Sequence, residues 1–259
     1  MPEPAPVVDL VATLRAAGCG FAEDVARLLQ AQARTPAELA SMTARRVAGE
    51  PLEHVLGWAE FAGLRVAVEP GVFVPRHRSE FLVEQAVAAA PDARVVVDLC
   101  CGAGALGAAL LERLGDVDLH AADVDAAAVR CARRTLRGRG EVHLGDLYAA
   151  LPASLRGRVD LLVASTPYVP TDAVRLMPPE AREHEPLVAL DGGSDGLDVV
   201  RRLVADAPAW LAPGGVVLVE TSAAQGKAGR TAMAGAGLEA AVRTDDEGES
   251  TVVIGRLLR

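Results

Sequence analysis

The stretch Asp98-Leu-Cys-Cys-Gly102-Ala-Gly104-Ala-Leu-Gly107 decides the reading of the fold. It follows Val95-Val96-Val97, a continuous β-branched run of the kind found in a parallel strand buried on both faces. It precedes a segment that predicts a helix to about Leu114. Gly102, Gly104 and Gly107 match G-x-G-x-x-G by position, and Asp123 lies about 20 residues beyond the loop. That combination is a cofactor-binding turn between a first and a second parallel strand.

Working outward, strand and helix alternate. Asp118 to Ala122 predicts a second strand, Ala126 to Leu136 a helix, and Val142 to Leu144 a short third strand. Val159 to Ala164 predicts a fourth strand, Leu197 to Leu211 a helix ended by Pro213-Gly214-Gly215, and Val216 to Glu220 a fifth strand. Ala223 to Ala234 predicts another helix. The β runs Leu238–Arg243 and Ser250–Leu257, joined by Asp245-Asp246-Glu247-Gly248, form a final hairpin. This alternation dictates an α/β fold, an open and mostly parallel sheet covered by helices on both sides, with an antiparallel last strand. Upstream, 60–68 predicts a β-hairpin, Val72 to Pro75 a short strand, and Ser79 to Ala90 a helix. Residues 8–48 predict short helices, one of them capped by Thr35 with Pro36 at its first position. The expected organisation is a helical module at 1–48, a hairpin linker at 49–78 and a cofactor-binding domain at 79–259.

Charge selects the cofactor. A dinucleotide pyrophosphate is anionic and favours backbone N–H groups without a nearby carboxylate. Asp98 closes the first strand just before the loop, which disfavours pyrophosphate. S-adenosyl-L-methionine carries an ammonium and a sulfonium, for which a carboxylate there is favourable. Gly102, Ala103 and Gly104 let the backbone approach the methionine portion, with Cys100 and Cys101 as small fillers of the loop. Asp123 is placed to accept from the ribose hydroxyls. Asp146 and Leu147, after the third strand, stand where the adenine edge is read and its face covered.

The fourth strand ends in Ser165-Thr166-Pro167-Tyr168. Further stretches carry a specific resemblance: Gly49-Glu50-Pro51-Leu52, Pro70-Gly71-Val72-Phe73-Val74-Pro75-Arg76, and Glu185-Pro186 with Ala189-Leu190-Asp191-Gly192-Gly193-Ser194-Asp195-Gly196-Leu197. From about Gly49 onward the chain resembles the protein-(glutamine-N5) methyltransferases, which act on peptide chain release factors and, in a sister branch, on a ribosomal protein. The resemblance implies a class I, Rossmann-like methyltransferase fold and an active-site motif Asn-Pro-Pro-Tyr. In that family the Asn side chain and the next carbonyl grip the substrate amide. Here Ser165 and Thr166 stand in place of Asn and Pro, while Pro167 and Tyr168 are kept. Arg78 stands where the family has an acidic residue. The resemblance therefore implies Ser165, Pro167 and Tyr168 as catalytic, and Ser165 to Tyr168 as substrate-binding, with Ser165 also near the cofactor. The altered motif leaves two alternatives: a small-molecule methyltransferase with a rebuilt acceptor site, or a cofactor-binding homologue without turnover.

Composition bounds the remainder. The chain has 259 residues, 51% of them apolar or aromatic, enough to bury a sizeable core. A net charge of −9 argues against direct binding of nucleic acid or of an anionic membrane. No window offers the roughly 18 apolar residues of a membrane span, and Met1 to Leu10 has no signal-peptide pattern. The four cysteines have no C-x-x-C spacing, and the five histidines no H-x-x-x-H spacing. No metal is expected, His120 and His143 are read as structural strand residues, and His184 falls in the proline-interrupted stretch from Thr166 to Ser194, too long for an ordinary connection, with a structural role or one at the substrate entrance. The expected setting is a reduced cytoplasm.

Overall fold

A computed structural model describes residues 7–258. Met1 to Pro6, which belong to the expected helical module and to the signal-peptide reading, lie outside the described residues. Helices α1 (Val7–Ala16), α2 (Ala22–Gln32) and α3 (Pro36–Val47) come first. Thr35 caps α3 by accepting the Glu38 N–H, and Glu38 accepts in turn from the Arg34 N–H. Helix α4 (Leu52–Leu56) contributes Val55 and Leu56 to one small core with Leu14, Val25, Leu29 and Met42. The packing of the N-terminal helices thus extends past residue 48.

The hairpin β1 (Trp58–Phe61) and β2 (Leu64–Ala67) follows. Residues 72–75 form no strand: Val72 lies in a bend and 73–75 are irregular. Their backbone groups are claimed by side chains: the Val74 N–H donates to Glu185, and Val72 O meets the His54 ring. With those groups taken, no ladder forms. Then come α5 (Glu80–Ala89), β3 (Val95–Leu99), α6 (Ala105–Leu114), β4 (Asp118–Asp123), α7 (Ala126–Leu136), β5 (Glu141–Leu144) and β6 (Val159–Ala164). After them run α8 (Pro179–His184), α9 (Leu187–Leu190), α10 (Asp198–Asp206), β7 (Leu211–Thr221), α11 (Gly226–Gly235), β8 (Glu239–Thr244) and β9 (Thr251–Arg256).

The seven-stranded sheet has the order β5-β4-β3-β6-β7-β9-β8. β9 runs antiparallel to both neighbours, inserted between β7 and β8. One face of the sheet packs on α5, α6, α7 and the hairpin, through Leu82, Leu110, Cys131 and Phe61. The other packs on α10 and α11, through Val200, Leu203 and Met233. Strand order reverses at β3, whose two neighbours β4 and β6 open a crevice at their carboxyl ends, the usual ligand position in such sheets. The helix expected to run to Leu211 stops at Asp206, just before Pro208. Leu211 already pairs with Val159, and Ala212 to Gly215 form an irregularity before Val216 pairs with Leu161. The expected fifth strand is the second part of β7.

Candidate active site

A cavity of about 330 Å³ lies at the carboxyl ends of β3, β4, β5 and β6. On one side it is lined by Cys100, Gly102, Asp123, Val124, Asp146 and Leu147. On the other it is lined by Phe73, Arg76, Arg78 and the run Ser165 to Tyr168.

The glycine loop is shaped by local constraints. Gly104 takes φ +78°, and a Cβ there would meet Ala132 Cα at 3.1 Å, so loop and α7 touch backbone to backbone. At Gly102 a Cβ would meet nothing within 4 Å, and the residue lines the cavity. Gly102 donates its N–H to Asp123 Oδ2 at 2.8 Å, while Asp123 Oδ1 accepts the Asp125 N–H at 2.9 Å. A carboxylate offers about four lone-pair sites, so Asp123, which lines the cavity, keeps capacity for a further donor. Burial raises its pKa.

Asp98 sits differently from expectation. It does not line the cavity and is wholly buried beneath the loop. Its Oδ2 accepts the Gly107 N–H at 2.9 Å, and its Oδ1 has no partner among the described residues. Burial, with the Asp123 charge adding to it, pushes its pKa up to about 7. An unsatisfied buried carboxyl oxygen under the loop suits a cationic ligand above it. Cys101, Ala103 and Gly104 also lie behind the lining surface, whereas Cys100 is part of it. Burial raises the pKa of both thiols of the Cys100-Cys101 pair. Leu147 lines the cavity as expected. Asp146 lines it too, but its Oδ2 accepts from Arg202, which leaves one oxygen for a ligand.

The other side is a network. Ser165 Oγ donates to Glu220 Oε2 at 3.1 Å, and Ser79 Oγ donates to the same oxygen at 2.6 Å. Arg78 Nε lies 3.5 Å from Glu220 Oε1, and Arg78 Nη2 donates to the Tyr168 hydroxyl. Burial, with Glu220 nearby, raises the Tyr168 pKa, so the phenol stays neutral. The Tyr168 carbonyl accepts from Gln225 Nε2 at 2.8 Å, which also bonds the Asp195 carbonyl. A Cβ at Gly196 would sit 2.1 Å from the Tyr168 carbonyl oxygen, so only glycine lets that loop close. Glu185 accepts from Arg76 at 2.6 Å and from the Val74 N–H at 3.2 Å. The Thr166 hydroxyl is buried without a partner among the described residues. Sequence reasoning missed Glu220, Ser79 and Gln225, which no local motif marks. It flagged Arg78 as a departure without seeing its partner. His184 does not line the cavity.

Comparison with known proteins adds to this geometry. The chain matches the family model described as Methyltransferase small domain over residues 63–177. It is similar to a release factor glutamine methyltransferase of Geobacter sulfurreducens, 40% identical over 196 residues that cover 73% of this chain and 68% of the relative. It is also similar to a 4-amino-L-phenylalanine/4-methylamino-L-phenylalanine methyltransferase of Streptomyces pristinaespiralis, 39% identical over 68% of this chain and 62% of that one. Among solved structures, a methyltransferase from Pyrococcus furiosus aligns with TM-score 0.58 and 16% identity, over 85% of this chain and 100% of that one. This last likeness is one of fold. No described helix is long and apolar enough to cross a membrane.

Proposed function

The chain belongs to the release factor glutamine methyltransferase family, and on that premise we propose that it transfers a methyl group from S-adenosyl-L-methionine to the side-chain amide nitrogen of a protein glutamine. The acceptor is a release factor or a related protein such as a ribosomal protein, and the setting is the cytoplasm. The observation that carries this reading is one continuous cavity running from Gly102 and Asp123 to Ser165 and Tyr168.

The residues fit the cofactor. Asp123 keeps capacity for a ribose hydroxyl, Gly102 leaves room beside the loop, and Asp98 places a buried carboxyl beneath a cationic group. Asp146 keeps one oxygen for the adenine edge, and Leu147 supplies an apolar cover. When bound, S-adenosyl-L-methionine supplies an electrophilic methyl group.

The acceptor side has the harder task, because an amide lone pair is delocalised and weakly nucleophilic. Ser165 spends its proton on Glu220, so its oxygen lone pairs are left to accept an N–H of the substrate. Thr166 lines the same wall beside it. Holding both N–H groups fixes the nitrogen in line for attack, and orientation is where much of the rate comes from. Oxygen acceptors beside the nitrogen also stabilise the positive charge that develops there. Pro167 and Tyr168 wall the site, Tyr168 being held by Arg78 and Gln225. The exposed Leu187 and Val188 on α9 beside the cavity, within the segment joining β6 to α10, suit a macromolecular acceptor. Arg46 on α3 donates to Glu180 on α8 at 2.7 Å, so in this reading the helical module buttresses that loop.

A small aromatic amine is the alternative acceptor. It is favoured by the name of the Streptomyces pristinaespiralis relative and by Ser165 and Arg78 in place of the family residues. The test incubates the protein with S-adenosyl-L-methionine and, separately, intact release factor, a glutamine peptide and an aromatic amine, then reads methylation by mass. Methyl on the release factor supports the proposal. Methyl on the amine alone transfers the assignment to the alternative. Calorimetry is expected to show micromolar cofactor binding, about −8 kcal/mol, with negligible heat from NAD; the reverse preference overturns the cofactor assignment.

A further inference from the structure

Away from the cavity, the edge of the sheet brings together side chains that the methyl transfer does not use. His120 lies on β4 and pairs in register with Glu141 on β5, while Ala122 pairs with His143. Side chains two apart on a strand share a face, so Asp118 and His120 project beside Glu141 and His143. We propose that these residues form a binding site for a zinc-class divalent metal ion, with His120, Glu141 and His143 as ligands and Asp118 orienting His120.

The geometry carries the assignment. His120 Nδ1 is 3.1 Å from His143 Nε2 and 3.6 Å from Glu141 Oε2, and His143 Nε2 is 3.8 Å from that same oxygen. A triangle with those sides has its centre about 2.0 Å from each corner, the length of Zn–N and Zn–O bonds. Asp118 Oδ1 lies 3.2 Å from the other ring nitrogen of His120. A carboxylate there fixes the tautomer that leaves Nδ1 free to ligate, the usual support for a metal-bound histidine. Two imidazoles and one carboxylate suit zinc and its neighbours in the first transition row, and not calcium or magnesium, which take oxygen ligands. Three protein ligands leave a fourth position for water.

The ion ties a short edge strand to its neighbour. β5 has four residues, none of them buried, and no strand beyond it among the described residues. The chain leaving β5 forms Gly145, Asp146 and Leu147 of the cavity, so the staple secures the strand that carries the adenine-side residues.

The test uses untagged full-length protein, stripped with a chelator and titrated with zinc chloride by calorimetry, with thermal melts in parallel. One ion per chain and a rise of several degrees in Tm are expected. With cobalt(II) in place of zinc, visible bands of a low-coordinate site are expected. His143→Gln should weaken zinc binding at least 100-fold. The exposed Glu141→Gln, which leaves the fold intact, should weaken it at least tenfold. Asp118→Asn should weaken it roughly 10–100-fold. If zinc does not bind stoichiometrically, or binds Glu141→Gln and Asp118→Asn as tightly as wild type, the proposal is overturned. Bound zinc that survives Glu141→Gln would then belong to other groups, such as the free cysteines.

Discussion

The two halves of the cavity are built on different length scales. Around the glycine loop the contacts are short in sequence, Asp125 to Asp123 spanning 2 residues, Gly107 to Asp98 spanning 9 and Gly102 to Asp123 spanning 21, and only Asp146 at the far rim reaches further, to Arg202 across 56. On the acceptor side Arg78 reaches Tyr168 across 90 residues, Arg76 reaches Glu185 across 109, and Ser79 reaches Glu220 across 141. A half assembled from backbone turns tolerates little change. A half assembled from side chains on distant segments can change one partner at a time, and there the family motif has been altered, at Ser165, Thr166 and Arg78.

The largest expected effect tests the electrostatics of the cofactor half. The Asp98 carboxyl has its pKa pushed from 3.8 up to about 7 by burial. A raised folded-state pKa means that stability is fully present below the unfolded value and is lost as pH rises through the folded value. Between about pH 4 and pH 8 the wild type should therefore lose up to about 4 kcal/mol relative to Asp98→Asn, roughly 10 °C in Tm. Parallel melts of the two proteins across that range would show that the carboxyl carries no such burden, and would remove the distinction between the halves at this residue.

The next effect isolates the acceptor half. Glu220→Gln keeps the shape and removes the charge shared by Ser165, Ser79 and Arg78. Methyl transfer, as kcat/KM for the acceptor, should fall about 100-fold, close to 3 kcal/mol, with the cofactor Kd unchanged by calorimetry. An equal fall in cofactor affinity would join the two halves into one unit. Asp123→Ala is the mirror experiment. It removes charge-assisted hydrogen bonds worth roughly 1.5–3 kcal/mol each, so the cofactor Kd should rise at least tenfold while the circular dichroism spectrum holds. An unchanged Kd refutes the role assigned to Asp123.

The smallest effect is the sharpest for the acceptor. Ser165→Asn restores the family residue, and its amide can both donate to Glu220 and accept from a substrate N–H. On a glutamine acceptor, activity should be kept or raised a few-fold. On a small acceptor fitted to Ser165, crowding should lower it, by ~100-fold if a reacting atom moves by ~1 Å. Opposite signs on the two acceptors separate the two readings in one pair of assays.

Legibility followed the same division. The glycine loop was readable because Gly102 and Gly104 take a left-handed φ that glycine accommodates without strain. Even there, Asp98 turned out to lie under the loop rather than in the cavity, because a side chain's direction at a strand end depends on what packs above it. Val72 to Pro75 reads as a short strand from its apolar run ending at proline, and in the structure Val72 and Val74 are indeed buried with Phe73 half-buried between them. The hydrogen bonds from Glu185 and His54, which take the place of a ladder, come from far along the chain.

The sequence by itself determined the alternation of strand and helix, the cofactor turn, the Thr35 cap and the antiparallel last strand. Each depends on backbone preferences and side-chain periodicity within a few residues, which neighbours in the chain dictate. Only the tertiary structure decided that β9 enters between β7 and β8, that Glu220 gathers Ser79, Arg78 and Ser165, and that His120 and His143 meet across adjacent parallel strands. Those pairings depend on which strands lie side by side. That choice is made by burying apolar faces of the whole sheet at once, and no short window of sequence contains it.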